Sequence, residues 1–221
     1  MFGTSCQVWH WYPFRMRETT TAPGLRLRTR QAVTEALADT AIGLFDASGF
    51  DEVTVADIAS AAGISQRSFF RYFANKEDVV FADRIPDAED VRDELRRHLA
   101  ELPAWDALRA TFRAAAEQMD ADASRWQQAV RVICHTPTLR ARYLEKHLAW
   151  TDALVPEITS RIGSNGPDAV LRAQTMVNTA SSCFDVAINR WSEHTPGESL
   201  AALVDQVFGF VQIPDTRSDT P

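Results

Sequence analysis

An all-α fold is predicted by three features of this sequence. Alanine, leucine, arginine and glutamate are frequent, while alternating strand-like runs are few. Apolar residues recur at steps of three and four, as in Val170, Ala173, Val177, Ala180, Phe184, Ala187 and Trp191. Proline and glycine fall between such runs, where helices end or begin. The 221 residues suffice for one large or two small domains with a proper core. A 45% hydrophobic and 24% charged composition is that of a globular protein rather than a disordered or membrane-embedded chain.

Residues 1–24 read as an arm without a defined structure. Trp9, Trp11, Tyr12 and Phe14 crowd its start, but no apolar signal segment with a small-residue cleavage site is present. Met16 offers a second possible start of translation. A first helix follows over about Leu27 to Ala47, with Val33, Leu37, Ile42, Leu44 and Phe45 as its apolar stripe.

The stretch Thr54 to Phe73, TVADIASAAGISQRSFFRYF, has the pattern of two short helices joined by a tight turn. Thr54 is a candidate N-cap, with Asp57 placed to favour the positive end of the helix. Val55, Ile58, Ala59 and Ala62 share one face, and Gly63 stands where a left-handed C′ residue would close the helix. Ile64 plugs the turn and Ser65 caps a second helix, Gln66 to Phe73. Phe69 and Phe73, four apart, can be buried together. Gln66, Arg67, Ser68, Phe70, Arg71 and Tyr72 are then left to point elsewhere. Amide, hydroxyl and guanidinium groups on one short helix suit a major groove. An amphipathic hairpin with an incidental polar face is the alternative.

From Arg30 to Phe81 the chain resembles the N-terminal domain of TetR-family transcriptional regulators. AVTEALADTAIGLFDASGF, TVADIASAAGIS and RSFFRYFANKEDV carry the likeness, in that order. It implies a three-helix DNA-binding domain over residues 25–85, a regulatory and dimerisation domain over 86–213, and a flexible tail over 214–221. On this reading Gln66, Arg67 and Arg71 contact bases, Ser68, Tyr72 and Lys76 hold phosphate, and Thr54, Ser65 and Phe70 border the same surface. The implied partner is a palindromic double-stranded operator bound by a homodimer, with repression as the expected outcome. A helical adaptor without DNA readout remains the other reading. The net charge of −7 argues against non-specific polyanion binding by the whole molecule, but not against DNA binding by one surface.

The family's fourth helix would begin at Lys76, and Pro86 should break it at Ile85-Pro86. New helices are expected over Asp87–Glu101, Trp105–Met119, Ala123–Cys134, Pro137–Gly163, Pro167–Trp191 and Gly197–Val211. The last two carry apolar stripes that could form a four-helix interface, as the resemblance implies. Val177, Ala180, Phe184 and Trp191 supply one stripe; Leu203, Val207, Phe208 and Val211 supply the other. Large side chains suited to pocket walls are Trp105, Phe112, Met119, Trp126, Tyr143, Trp150 and Phe184. Cys134, His135, His147 and Arg190 are the polar groups expected to meet a ligand. CFDVAINRW, and FFRYF with KEDVVF, resemble segments of TetR regulators classed as binders of acyl-CoA-like ligands, which makes such a small molecule the implied effector.

Other chemistries find no support in the sequence. Cys6, Cys134 and Cys183 form no CxxC pair, so a disulfide framework is not expected and a reducing cytoplasm is. The histidines lack the close spacing of a metal site. No nucleophile elbow, Walker loop or dinucleotide fingerprint is present, so neither an enzyme nor a cofactor is expected. No apolar run reaches the roughly 20 residues that span a bilayer.

Overall fold

The computed structural model describes residues 25–81, 86–163, 167–193 and 197–211. The arm, the Ile85 side of the expected break, and the tail lie outside them. Ten α-helices lie among the described residues: α1 (Leu25–Ser48), α2 (Val55–Ala61), α3 (Gln66–Phe69), α4 (Lys76–Phe81), α5 (Ala88–Leu99), α6 (Ala104–Asp120), α7 (Ala123–His135), α8 (Pro137–Ile162), α9 (Pro167–Glu193) and α10 (Leu200–Gly209).

Two apolar clusters organise them. The first joins α1 to α4 through Leu37, Phe45, Ile58, Phe69 and Val79, and recruits Ala129 and Val132 of α7 and Leu139 of α8. The second fills the space among α5 to α10, with Leu95, Leu108, Phe112, Phe184, Trp191 and Phe208 at its centre. Because α7 contributes to both, the lobes are packed together along this helix rather than joined by a linker.

Local chemistry sets the helix ends. At the close of α2, Gly63 takes φ 68°, its N–H donates to Ser60 O at 3.1 Å, and Ile64 N–H donates to Ala59 O at 2.9 Å. These are the paired bonds of a Schellman ending, which a residue with a Cβ accommodates poorly. Asp87 caps α5 by accepting from Glu89 N and Asp90 N, both at 3.0 Å. The end of α6 caps α10, since the Asp120 carboxylate accepts from Leu200 N at 2.7 Å and Ala201 N at 3.0 Å. Pro156 lies within α8 without ending it. Trp191 Nε1 donates to Glu198 O at 3.0 Å, tying the end of α9 to the approach of α10.

Two expected boundaries are corrected. The second helix of the helix-turn-helix is α-helical only over Gln66–Phe69. Beyond it Arg71 N–H and Tyr72 N–H reach back three residues, to Ser68 O and Phe69 O, and tighten the turn. That turn brings Phe69 and Phe73 into the same core, with ring centroids 5.4 Å apart. The last helix starts at Leu200 rather than Gly197, whose φ of 108° is not helical.

Candidate DNA-reading surface and effector cavity

The caps of α2 and α3 orient the helix-turn-helix. Thr54 Oγ1 donates to Asp57 Oδ2 at 2.6 Å and accepts from Asp57 N–H at 3.2 Å, while Thr54 N–H donates to Asp57 Oδ2 at 2.9 Å. This reciprocal box holds Asp57 below the usual carboxylate pKa through its bonds to Thr54. Ser65 Oγ accepts from Ser68 N–H at 3.1 Å and lies 3.0 Å from Ser68 Oγ. Thr54, Ser65 and Ser68 therefore hold the turn together with the same hydroxyls expected at the DNA.

Gln66, Arg67, Phe70 and Arg71 are exposed, and Tyr72 is half-buried with the Arg71 guanidinium 5.6 Å from its ring centre. Side chains that can hydrogen-bond base edges thus project from the start of α3, while Phe69 behind them is fully buried. Lys76 departs from the expected role. Its Nζ donates to Phe50 O at 2.8 Å and Val53 O at 3.3 Å, and lies 4.2 Å from the Phe50 ring centre. Two of its three donors are spent on the loop between α1 and α2, so it acts as a strut of the domain rather than a free cation for phosphate.

Behind this domain lies an apolar chamber with an empty volume of about 720 Å³, including its open end. Phe112, Met119, Trp126, Tyr143, Trp150 and Phe184 line it, as does Val80 of α4. Phe112 and Phe184 stack at 5.2 Å, and Trp150 Nε1 donates to Pro86 O at 3.1 Å. A smaller vestibule, about 460 Å³, adjoins it among α7, α8 and α9 and adds Cys134, Arg140, Asp185 and Asn189.

The polar groups here are wired to one another. Tyr143 OH donates to Asp185 Oδ1 at 2.9 Å, and Cys134 Sγ donates to Asn189 Oδ1 at 3.0 Å. The other Asp185 oxygen stands 3.6 Å from His147 Nδ1. Burial raises the pKa of Tyr143 well above 10.0 and also raises those of Cys134 and Asp185; it lowers that of His147. His147 Nε2 is buried without a hydrogen-bond partner.

Several expected pocket residues lie elsewhere. Trp105 packs on Phe208 of α10 at 5.0 Å, outside either chamber, because it sits about two turns nearer the start of α6 than the lining residues Thr111 and Phe112. The exposed His135 turns its Nδ1 to Arg131 O, 2.8 Å away, at the end of α7. His147 is sandwiched between Tyr143 and Trp150, at 4.3 and 4.7 Å, behind the lining. Arg190 is exposed, with Nε 3.8 Å from Glu198 Oε1. Sequence reasoning passed over Arg140, Asp185 and Asn189. The last two stand in CFDVAINRW, four residues apart on one side of α9 and beside its buried apolar stripe, so the stripe itself does not single them out.

The expected interface stripe also needs correction. Val177, Ala180, Phe184, Trp191, Leu203 and Phe208 are all buried within a single chain. Val207 and Val211 pack partly against the same core. An amphipathic helix in a bundle turns its larger apolar side inward, so these residues serve the protomer first. The surfaces left open carry Leu171, Asn178, Ser182 and Val186 on α9, and Ala202, Gln206 and Phe210 beside α10.

Links between the lobes are polar as well as apolar. Arg125 of α7 pairs with Asp39 of α1 at 2.7 Å, and Gln128 and Arg131 reach Asp46 at 3.1 and 3.4 Å. Arg142 of α8 pairs with Asp78 of α4 at 2.8 Å. Among the described residues no cluster of three or more His, Cys, Asp or Glu is placed to hold a metal, and no helix is long and apolar enough to cross a membrane.

Comparison with known proteins identifies this arrangement. Residues 37–82 match the family described as bacterial regulatory proteins, tetR family, and residues 102–214 match the MftR C-terminal domain. The chain is 31% identical over 160 residues to MftR of Mycobacterium tuberculosis, a protein named for transcriptional regulation of mycofactocin biosynthesis, with 72% of this chain and 81% of MftR covered. FadR of Thermus thermophilus, a TetR-family repressor solved with lauroyl-CoA, shares the fold at a TM-score of 0.53 and 23% identity, covering 85% of this chain and 100% of FadR. FadR of Bacillus subtilis, solved with stearoyl-CoA, does so at 0.52 and 21%, covering 79% and 95%. The chain belongs to the TetR family of bacterial transcriptional regulators.

Proposed function

We propose that the protein is a dimeric, cytoplasmic repressor that reads a palindromic operator and releases it when an apolar-tailed effector fills the chamber. The observation that carries this reading is the position of Val80. It is fully buried in the core of the DNA-binding lobe and also lines the chamber. A ligand that displaces this wall acts on α4 directly, and on α1 through the α7 ion pairs. Ligand binding can shift the DNA-competent state only by its difference in affinity between the two states, so the shared wall is where such a difference can arise.

The almost wholly apolar lining supports an acyl chain as the effector's body. The acyl-CoA thioesters bound by the two FadR proteins support the same class. Base contact falls to Gln66, Arg67 and Arg71, and dimerisation to the open faces of α9 and α10. A four-helix contact there would set two reading helices about one DNA turn apart.

The reading is tested by binding to duplex DNA from upstream of the protein's own gene and to a scrambled duplex, at near-physiological salt. A sequence reader should prefer the former by about 10³-fold or more. Equal affinity for both would favour the adaptor reading instead.

A further inference from the structure

Chamber and vestibule share Val130, Ile133, Tyr143 and Ile188, which places Tyr143 at the neck between them. The two spaces differ in chemistry. In the chamber, Thr111 Oγ1 donates to Ala107 O at 2.8 Å, and Trp150 and Tyr143 also spend their donors on protein groups, so its wall offers little to a polar ligand atom. In the vestibule, Cys134 and Asn189 bond each other, and the Asp185 oxygens are turned to Tyr143 and His147. Arg140 is different. It lines the vestibule, is exposed, and has no carboxylate within 4.0 Å among the described residues, Asp185 acting on it only from farther off. Beside it Leu144 is 49% exposed, so this end of the cavity meets solvent.

We propose that the two spaces form one site for an amphipathic ligand, with its apolar chain in the chamber and an anionic head, carboxylate or phosphate, held by Arg140 at the mouth. The inference rests on the effector reading above and adds the ligand's orientation and the charge of its head. An anion cannot enter the chamber first, because nothing there replaces its hydration. A guanidinium at the mouth offers the planar pair of donors that both carboxylate and phosphate accept. Arg140 opposes the burial that raises the pKa of Cys134, Tyr143 and Asp185, and burial outweighs it at all three.

The test uses the full chain and a matched series of twelve-carbon probes below their micellar concentrations: dodecanoic acid, 1-dodecanol and lauroyl-CoA. Binding is read from the fluorescence of Trp126 and Trp150, which line the chamber. The acid should bind about tenfold more tightly than the alcohol. Arg140→Gln should remove that difference while leaving the alcohol unchanged, and Arg140→Lys should restore part of it. A loss for the acid alone identifies a carboxylate head; a loss for lauroyl-CoA identifies phosphate. Acid and alcohol binding alike while lauroyl-CoA binding is also untouched by Arg140→Gln, or an acid preference that survives Arg140→Gln, would overturn the head-group assignment but not the effector reading. If none of the three binds, the acyl-chain effector itself is wrong.

Discussion

Arg125 of α7 and Asp39 of α1 meet at 2.7 Å, joining the wall of the cavity to the longest helix of the DNA-binding lobe. Asp39 is well exposed and Arg125 partly so, so the pair should add little to stability, about 0–1 kcal/mol. Its weight lies in coupling. Arg125→Ala should leave the melting temperature within a few degrees of wild type while reducing the ligand-induced loss of operator affinity. Melting curves and operator titrations with and without ligand measure both. A variant with unchanged ligand response would remove this pair from the transmission route.

Lys76 and Arg67 should respond to substitution in opposite ways. Lys76→Ala leaves the carbonyls of Phe50 and Val53 without their donor and should destabilise the fold by about 1–3 kcal/mol. The salt dependence of DNA binding should barely change. Arg67→Ala should leave stability intact, cost about 1–3 kcal/mol of operator affinity and relax preference at one base pair. Urea titrations and a salt series on operator and scrambled duplexes separate the two. A lower salt slope for Lys76→Ala with unaltered stability would return that residue to the phosphate contacts.

His147 gives the effector lobe a pH dependence. Burial lowers its pKa from 6.5, so the unfolded chain takes up a proton at a higher pH than the folded one. Its contribution to stability is therefore complete above about pH 6.5 and is lost as pH falls toward the depressed folded value. Asp185, the carboxylate facing it, has a raised pKa and works in the opposite sense over its own window above 3.8. Comparing wild type with His147→Phe in melts from pH 7.5 to 5 isolates the histidine. The variant should lose less stability across that range; an equal loss would assign the pH dependence to other groups.

Dimerisation should be sensitive at the open faces and not at the buried stripe. Leu171→Glu combined with Val186→Glu should yield folded monomers at micromolar concentration, seen by sizing with light scattering and unchanged far-UV circular dichroism. Phe184→Glu or Phe208→Glu should instead unfold the effector lobe, because each places a charge in the core. Monomeric wild type would contradict the assigned interface.

Local signals made the helix-turn-helix legible in the sequence. Thr54, Asp57, Gly63 and Ser65 act within a few residues of themselves, and the structure shows their capping bonds. The role of Lys76 was hidden because its partners, Phe50 and Val53, lie more than twenty residues earlier. Helical periodicity marked Phe184 and Phe208 as apolar-face residues but could not say which neighbour covers them. Chamber and interface both draw on the same type of side chain, and only packing decides between them. Asp185 and Arg140 were obscured for a similar reason: each sits on a different helix, and their common vestibule exists only once α7, α8 and α9 are assembled.

The coupling between chamber and DNA is tested most directly by titrating a labelled upstream duplex with the protein, at fixed salt, with and without saturating lauroyl-CoA. Ligand occupancy is followed in the same samples through tryptophan fluorescence. The account predicts a fall in operator affinity of about 5–150-fold on saturation, the range set by coupling of about 1–3 kcal/mol. It also predicts that Ala115→Trp, which places an indole in the path of the acyl chain, reduces both the fluorescence response and the ligand-induced fall. Full ligand occupancy with unchanged operator affinity would contradict it.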